Sequence, residues 1–352
     1  MLIISPVATP QRTPVFDALA DSGPPLHVMY LYEASPTANW GSVAIRHPHS
    51  FVLGKGWRTG VRVFRRILKA PKVKVLVVFG YRGFVRPAAI IAARLRGIQI
   101  VTRSDSNIAA VSEEGRSRRL VRKAVLRVLF PKSTRVWTIG ASNALYWKEY
   151  VGLRNTRLIP YSVPVLPSSM GQNIEQRTSD PHHLRFLFVG RLIAAKDVDV
   201  LIAAFKTLLS PVYDGWSLDI VGDGPMLSAL QELARPDSRI HFHGACPYNQ
   251  LDRFYHEADV FVLPSRREPW GLVINESMAF GLRVIASEQV GAAELIIDES
   301  VGATFPVGDA GRLADMAASS AKHLARIPVQ QLDPTGAMRE DLVAMIGATD
   351  AK

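Results

Sequence analysis

Residues 266–291 read RREPWGLVINESMAFGLRVIASEQVG and follow the apolar run Val260-Phe261-Val262-Leu263 after Pro264 and Ser265. Four apolar residues in a row predict a strand buried on both faces, as in a parallel sheet. Pro269 and Gly271 punctuate the loop behind it. A helix is expected over 271–280, and Arg283–Ala286 (RVIA) reads as a second buried strand. Strand, helix and strand in that order make a βαβ unit. The loop carries Glu268 and the helix carries Glu276. Both therefore fall near the carboxyl end of the first strand, where open α/β sheets bind ligands. The first-turn amides of Gly271, Leu272 and Val273 would present free N–H groups, and with the helix dipole they suit an anion. From spacing alone, an ordinary acidic helix start is an equal reading.

Outward from this unit the same alternation continues. Arg185–Val189, Ser217–Val221 and Ile240–His243 read as strands, with helices expected over 198–209, 225–234, 248–257 and 292–297. Towards the N-terminus, strands are expected at 2–5, 27–32, 74–79, 98–103 and 135–140. Helices are expected over 14–20, 61–69, 87–96, 116–130 and 142–150. The whole is an α/β chain of two Rossmann-like domains with parallel sheets facing a central cleft. The boundaries expected are 1–165, a Pro- and Ser-rich linker 166–184, a second domain 185–330, and a tail 331–352 able to pack back on the first domain.

The 352 residues hold one cysteine, which excludes a disulfide-built scaffold and a zinc-thiolate site. No apolar stretch approaches the ~20 residues of a membrane-spanning helix, and the N-terminus lacks a signal-peptide pattern. A cytoplasmic protein is expected. The net charge of +11 hides an asymmetry. Residues 1–170 carry 26 Lys and Arg against 7 Asp and Glu, whereas residues 171–352 carry 16 against 24. Two helical segments concentrate the positive charge. Arg62, Arg65, Arg66 and Lys69 share one arc of 61–69, and 116–130 has a similar arc with Leu126 and Phe130 placed inside it. Such faces suit solvent or an anionic membrane surface.

Two further segments follow strands in the acidic half. Gly190-Arg191-Leu192-Ile193-Ala194-Ala195-Lys196 places two cations where they could clamp a diphosphate, Arg through its fork and Lys as a point charge. Val221-Gly222-Asp223-Gly224-Pro225 is a Gly-rich turn that admits close backbone approach. Asp197-Val198-Asp199 is a literal Asp-x-Asp, better explained as the cap and first turn of a helix than as a metal site.

Taken together and in order, these segments resemble the donor-binding half of the retaining family-4 glycosyltransferases. The resemblance covers about 184–309, and extends more weakly over 103–163 through Arg103-Ser104-Asp105-Ser106, Thr138–Asn143 and Ile159-Pro160-Tyr161. It implies a GT-B fold and transfer of a hexose from a nucleotide-diphosphate sugar to a glycan hydroxyl with retention. It implies that Arg191 and Lys196 neutralise the diphosphate and that Glu276 accepts bonds from the ribose hydroxyls. Glu268, with the amides of Gly271, Leu272 and Val273, would hold the transferred sugar and the phosphate. Gly190 and Gly222 would line the donor site, the strand around 241–245 would wall the base, and Arg103 and Asp105 would lie on the acceptor side. No metal or other cofactor is expected. The expected partners are the donor, a glycan or lipid-linked glycan acceptor in surface polysaccharide synthesis, and an anionic membrane surface, with no nucleic acid. Three departures stand out. Asp197 follows Lys196 where the family usually has Gly, the loop 5–14 lacks the family's Gly pair, and Asp105 replaces a glutamate.

A sugar-nucleotide epimerase and a non-catalytic polyanion-binding protein are the rival readings, and the second does not explain the ordered motifs. Cys246 is expected to be a buried thiol. His241 and His243 are expected to serve in the core or to line the cleft, and His47 and His49 have no assigned role.

Overall fold

A computed structural model of the chain describes residues 1–33, 43–52, 56–107, 115–161, 180–322 and 334–350. Two compact units emerge, Met1–Pro164 with Leu332–Lys352, and Val165–Gln331. Most of the linker stretch, 162–179, lies outside the described residues.

The N-terminal unit is built on seven parallel strands: β1 (Leu2–Ser5), β2 (His27–Tyr30), β3 (His49–Phe51), β4 (Val75–Phe79), β5 (Gln99–Arg103), β6 (Arg135–Thr138) and β7 (Thr156–Leu158). Their order is β3-β2-β1-β4-β5-β6-β7. Its helices are α1 (Thr13–Ser22), α2 (Trp57–Lys69), α3 (Val85–Leu95), α4 (Arg116–Leu129) and α5 (Ala141–Leu145), the last continuing as a π-helical turn to Val151. The central strands β1 and β4 read as nearly unbroken apolar runs because both their faces are covered. Leu2, Ile4, Leu76 and Val78 pack with Val63 and Ile67 of α2 and Ala89 and Ile90 of α3. Ile3, Val75 and Val77 point the other way, onto Val15, Phe16 and Leu19 of α1.

The second unit holds β8 (Arg185–Val189), β9 (Ser217–Val221), β10 (Ile240–Gly244), β11 (Val260–Leu263), β12 (Arg283–Ser287) and β13 (Gly302–Phe305), all parallel, in the order β10-β9-β8-β11-β12-β13. Its helices are α6 (Val198–Lys206), α7 (Leu227–Ala234), α8 (Asp252–Glu257), α9 (Leu272–Ala279) and α10 (Ala310–Ser319). Each sheet reverses direction beside its first strand, between β1 and β4 and between β8 and β11. That reversal opens the crevice in which doubly wound sheets bind ligands.

Helix α11 (Pro334–Asp350) belongs to the N-terminal unit, where Met338 and Leu342 are buried beside Trp137. Asp341, on the same face, accepts hydrogen bonds from Arg135 Nε (3.1 Å) and Trp137 Nε1 (2.8 Å). Burial by itself would raise the Asp341 pKa, but the bonds from Arg135 and Trp137 outweigh it and hold the carboxyl below its usual range.

Several local expectations need correction. β3, β7 and β13 are additional strands. β3 and β7 are three-residue edge strands with polar residues, and edge strands escape the apolar-run signal because one side faces solvent. The expected helix 292–297 is a 3-10 turn at Gly291–Leu295. On α4 the expected placement of Leu126 and Phe130 within the basic face is wrong, since both are 2% exposed and packed in the core. The exposed apolar residues of α4 are instead Leu120, Val121, Val125 and Val128.

Candidate functional site

β8, β9 and β11 are parallel neighbours, so the loops after them leave from one edge of the sheet. Those loops carry Gly190–Asp197, Gly222–Met226 and the residues from Pro264 to Gly271. The first two are locked together by their backbones. Gly190 N–H donates to Val221 O (3.0 Å), Leu192 N–H to Asp223 O (2.9 Å) and Met226 N–H to Leu192 O (3.1 Å). A Cβ on Gly222 would lie 1.8 Å from Gly190 O, so this approach of two strand ends requires glycine.

The first loop is tied to the β11 loop across the point where the sheet order reverses. Arg266 N–H donates to Ala195 O at 3.0 Å, and the Arg266 guanidinium pairs with Asp197. Lys196 Nζ donates to Glu268 Oε2, and both side chains are mostly buried. The resemblance assigns these two to different parts of one donor, and in the structure they contact each other. The ammonium keeps two further N–H donors and the carboxylate further lone pairs, so the pair has unused hydrogen-bonding capacity. Arg191 is exposed, and its guanidinium makes no ion pair among the described residues.

Asp197 has φ +53 and ψ 36. It is the only non-glycine residue with positive φ among the described residues. That explains why glycine suits this position, and aspartate is among the few residues that tolerate it. The expected cap is corrected here. Asp197 sits at the N-cap of α6, yet its side chain makes no capping bond and turns to Arg266 instead. The carboxylate is buried, and Oδ2 has no hydrogen-bond partner. Burial, opposed by Arg266, raises its pKa above 3.8.

The β11 loop is held from behind. Glu268 N–H donates to Gln289 O (3.3 Å), Gly291 N–H to Glu268 O (3.0 Å) and Ala292 N–H to Trp270 O (2.7 Å). Gly271 turns the chain into α9 with φ +95, a left-handed value that favours glycine. α9 starts at Leu272, one residue later than the reading from sequence. By helix geometry the Leu272 and Val273 amides have no intrahelical acceptor. Glu276, one helical turn on, is buried and accepts a hydrogen bond from Tyr255 of α8 at 2.9 Å. Burial, then the Glu276 charge, raises the Tyr255 pKa well above 10. A carboxylate accepts several bonds, so Tyr255 orients Glu276 and leaves it capacity for others.

In the N-terminal unit, Arg103 is buried at the end of β5 and donates to Ile159 O (2.7 Å) and Pro160 O (3.2 Å). Its guanidinium lies 4.7 Å from the Tyr161 ring centroid, and Tyr161 donates to the exposed Asp105. Asn143 Nδ2 donates to Ser104 O (2.8 Å), so the Thr138–Asn143 segment supports the Arg103–Ser106 loop. Arg103 thus braces the 159–161 segment.

Sequence reasoning passed over Tyr255, Arg266 and Tyr81 as site residues. Tyr81 bonds both Ser106 Oγ and Tyr146 OH at 2.9 Å. Arg266 had a visible signal, since it is two residues before Glu268. Tyr255 had none. The buried histidine is His47. Its Nδ1 donates to Asp17 (2.7 Å) and its Nε2 accepts from Tyr30 OH (3.0 Å). His241 and His243 are exposed on the edge strand β10, which excludes the core role of the two expected for them, and Cys246 is partly exposed, so its expected burial is corrected. Among the described residues no three metal-ligating side chains cluster, and no helix is long and apolar enough to cross a membrane.

Residues 170–321 match the family model described as glycosyl transferases group 1. An uncharacterized glycosyltransferase of Haemophilus influenzae is 28% identical over 171 residues, 48% of this chain and 46% of that protein. A Mycobacterium tuberculosis protein is 32% identical over 140 residues, 37% of this chain and 36% of its own. It is named as a GDP-mannose-dependent alpha-(1-6)-phosphatidylinositol monomannoside mannosyltransferase. The chain spans less than half the length of the curated relatives it matches. The Anabaena protein HepE, solved with UDP and glucose, superposes with a TM-score of 0.68 over 99% of both chains at 14% identity, a likeness of fold. In fold and in the order of its motifs, the chain resembles the GT-B glycosyltransferases of family 4, and its residues 170–321 match glycosyl transferases group 1.

Proposed function

We propose that the protein is a retaining glycosyltransferase that moves a hexose from a nucleotide-diphosphate sugar to a hydroxyl of a glycan acceptor. One observation carries the reading: the Lys196–Glu268 pair spans the reversal point of the second sheet, at the edge where the Gly190, Gly222 and Gly271 segments also meet. Cleaving the sugar–phosphate bond builds negative charge on the diphosphate. Arg191, Lys196 and the Leu272 and Val273 amides stabilise that charge without reorganising, the dominant form of enzymatic electrostatic catalysis. Protein cations serve the leaving group, so no metal is required. Glu276, oriented by Tyr255, accepts the ribose hydroxyls. Glu268, held in place by Lys196, uses its remaining lone pairs for the hydroxyls of the transferred sugar. The acceptor hydroxyl attacks from the face that the diphosphate leaves, and the leaving oxygen takes its proton.

The acceptor is a surface-polysaccharide precursor at the cytoplasmic face of a membrane. The exposed Leu120, Val121, Val125 and Val128 on the arginine-rich α4 support this, as does the exposed Trp57 at the start of the basic α2. Basic residues near an anionic bilayer add about 1 kcal/mol each. The mycobacterial relative's name also couples a nucleotide sugar to a lipid acceptor. A melting-temperature panel of nucleotides and nucleotide sugars tests the reading, because a ligand of the folded state raises the midpoint. One nucleotide class should stabilise the chain, Glu276→Ala should weaken that response, and Arg191→Ala should chiefly lower turnover. A flat panel refutes the reading.

A further inference from the structure

The N-terminal sheet has its own reversal point, between β1 and β4. At the carboxyl edge there lies a cavity of about 200 Å³. Arg12, Arg82, Arg86 and Arg103 line it, with Asp105 as the sole carboxylate among its lining residues. None of the four arginines is in an ion pair with a carboxylate among the described residues. Arg12 Nη1 and Arg86 Nε are buried without a hydrogen-bond partner. Arg86 Nη1 is anchored on Arg82 O at 2.8 Å, and the Arg12 guanidinium stands 5.5 Å from the Phe79 ring centroid. Burial, with the neighbouring Arg12 charge, pulls both Arg86 and Arg103 below the ordinary arginine range. Desolvated like charges with unused donors are costly unless an anion joins them.

We infer that this cavity binds the phosphate group of a phosphorylated sugar, which makes the acceptor a phosphate-bearing glycan. The word acceptor rests on the transferase reading above; the phosphate site rests on the arginines alone. Guanidinium forks match phosphate oxygens, and several cations against one carboxylate suit a group carrying about −1.5 to −2 charges better than a carboxylate. The side chains of Phe79, Tyr81 and Tyr161 also line the cavity. The volume lies below the ~300–1,000 Å³ of pockets that enclose drug-sized ligands. It holds a phosphate with part of a sugar ring.

The test is calorimetric titration of the full chain with inorganic phosphate, glucose 6-phosphate, glucose, UDP and GDP. The wild-type chain should bind the two phosphate probes and not glucose. Arg86→Gln and Arg12→Gln should each weaken glucose 6-phosphate by about tenfold or more, leaving nucleotide affinity within twofold. Arg86→Lys keeps the charge without the fork and should retain part of the affinity, which a merely misfolded variant would not. Phosphate probes that fail to bind, or bind the glutamine variants equally, overturn the site. Variants that lose nucleotide and keep glucose 6-phosphate overturn it too, because the arginines then serve the donor. A chain that binds phosphate through these arginines but takes no nucleotide refutes the transferase reading and leaves the phosphate site standing.

Discussion

Substitutions at Asp197 and Arg266 have an order of effects that follows from one backbone angle and one ion pair. With φ at +53, a Cβ at position 197 costs roughly 1–2 kcal/mol. Asp197→Ala keeps that cost and loses Arg266. Asp197→Gly also loses Arg266 but drops the Cβ cost, offset in part by about 0.5–1 kcal/mol of unfolded-state entropy. The Arg266 side chain is 57% exposed, so the pair itself is screened and stabilises little. Asp197→Gly should therefore match the wild type within about 1 kcal/mol, with Asp197→Ala about 1 kcal/mol lower. Arg266→Ala should cost more, about 1–3 kcal/mol, because it leaves a carboxylate buried at 1% exposure with no partner. The folded pKa of Asp197 is already raised above 3.8 by burial. A raised folded pKa contributes stability below the unfolded pKa and loses it as pH rises through the folded one. Without Arg266 the pKa rises further, so the deficit of Arg266→Ala should be largest near neutral pH and shrink towards pH ~4. Urea unfolding followed by tryptophan fluorescence at two pH values reads the wild type and the four variants, including the Arg266→Ala/Asp197→Gly double variant. That variant has no carboxylate to strand and should recover most of the loss. Equal stability of the alanine and glycine variants, or no recovery in the double variant, refutes the reasoning.

Gly222→Ala forces a methyl to 1.8 Å from a backbone oxygen and should cost about 3 kcal/mol or more, read as a lowered melting midpoint with loss of nucleotide response. Asp341→Ala strands the Trp137 indole N–H and frees two arginines that can rehydrate, so about 2–3 kcal/mol should be lost in urea unfolding. Acid should loosen the chain in two steps. Burial, against Asp17, lowers the folded pKa of His47 below 6.5, so stability present above that value falls as pH drops through the folded pKa. At Asp17, burial raises the pKa, but bonds from His47 and Arg46 outweigh it, so its contribution is lost only as pH falls below 3.8. Melting scans should show a lower midpoint at pH ~5 than at pH ~7, and His47→Gln should flatten that difference.

The two doubly wound sheets were legible because an apolar run such as Val75–Phe79 is a local signal that survives without its neighbours. The short β3 and β7 were not, because their partners and not their composition make them strands. The motif loops could also be read in order, since strand, glycine and charged residue lie within a few positions of each other. The amphipathic reading of α4 went astray at Leu126 and Phe130, where periodicity leaves the choice of core-facing arc to the sheet beneath.

Local chemistry thus carried the class of fold and the glycines and charged residues in the loops at one edge of the second sheet. Tertiary structure decided how those residues are spent. Lys196 meets Glu268 across 72 residues, Tyr255 meets Glu276 from another helix, and Arg135 meets Asp341 across 206. It also turned the apparent misfit of Asp197 into a left-handed hinge tied to Arg266. Hydrogen bonds and ion pairs act over a few ångströms in space, and only the folded chain sets which distant residues come that close.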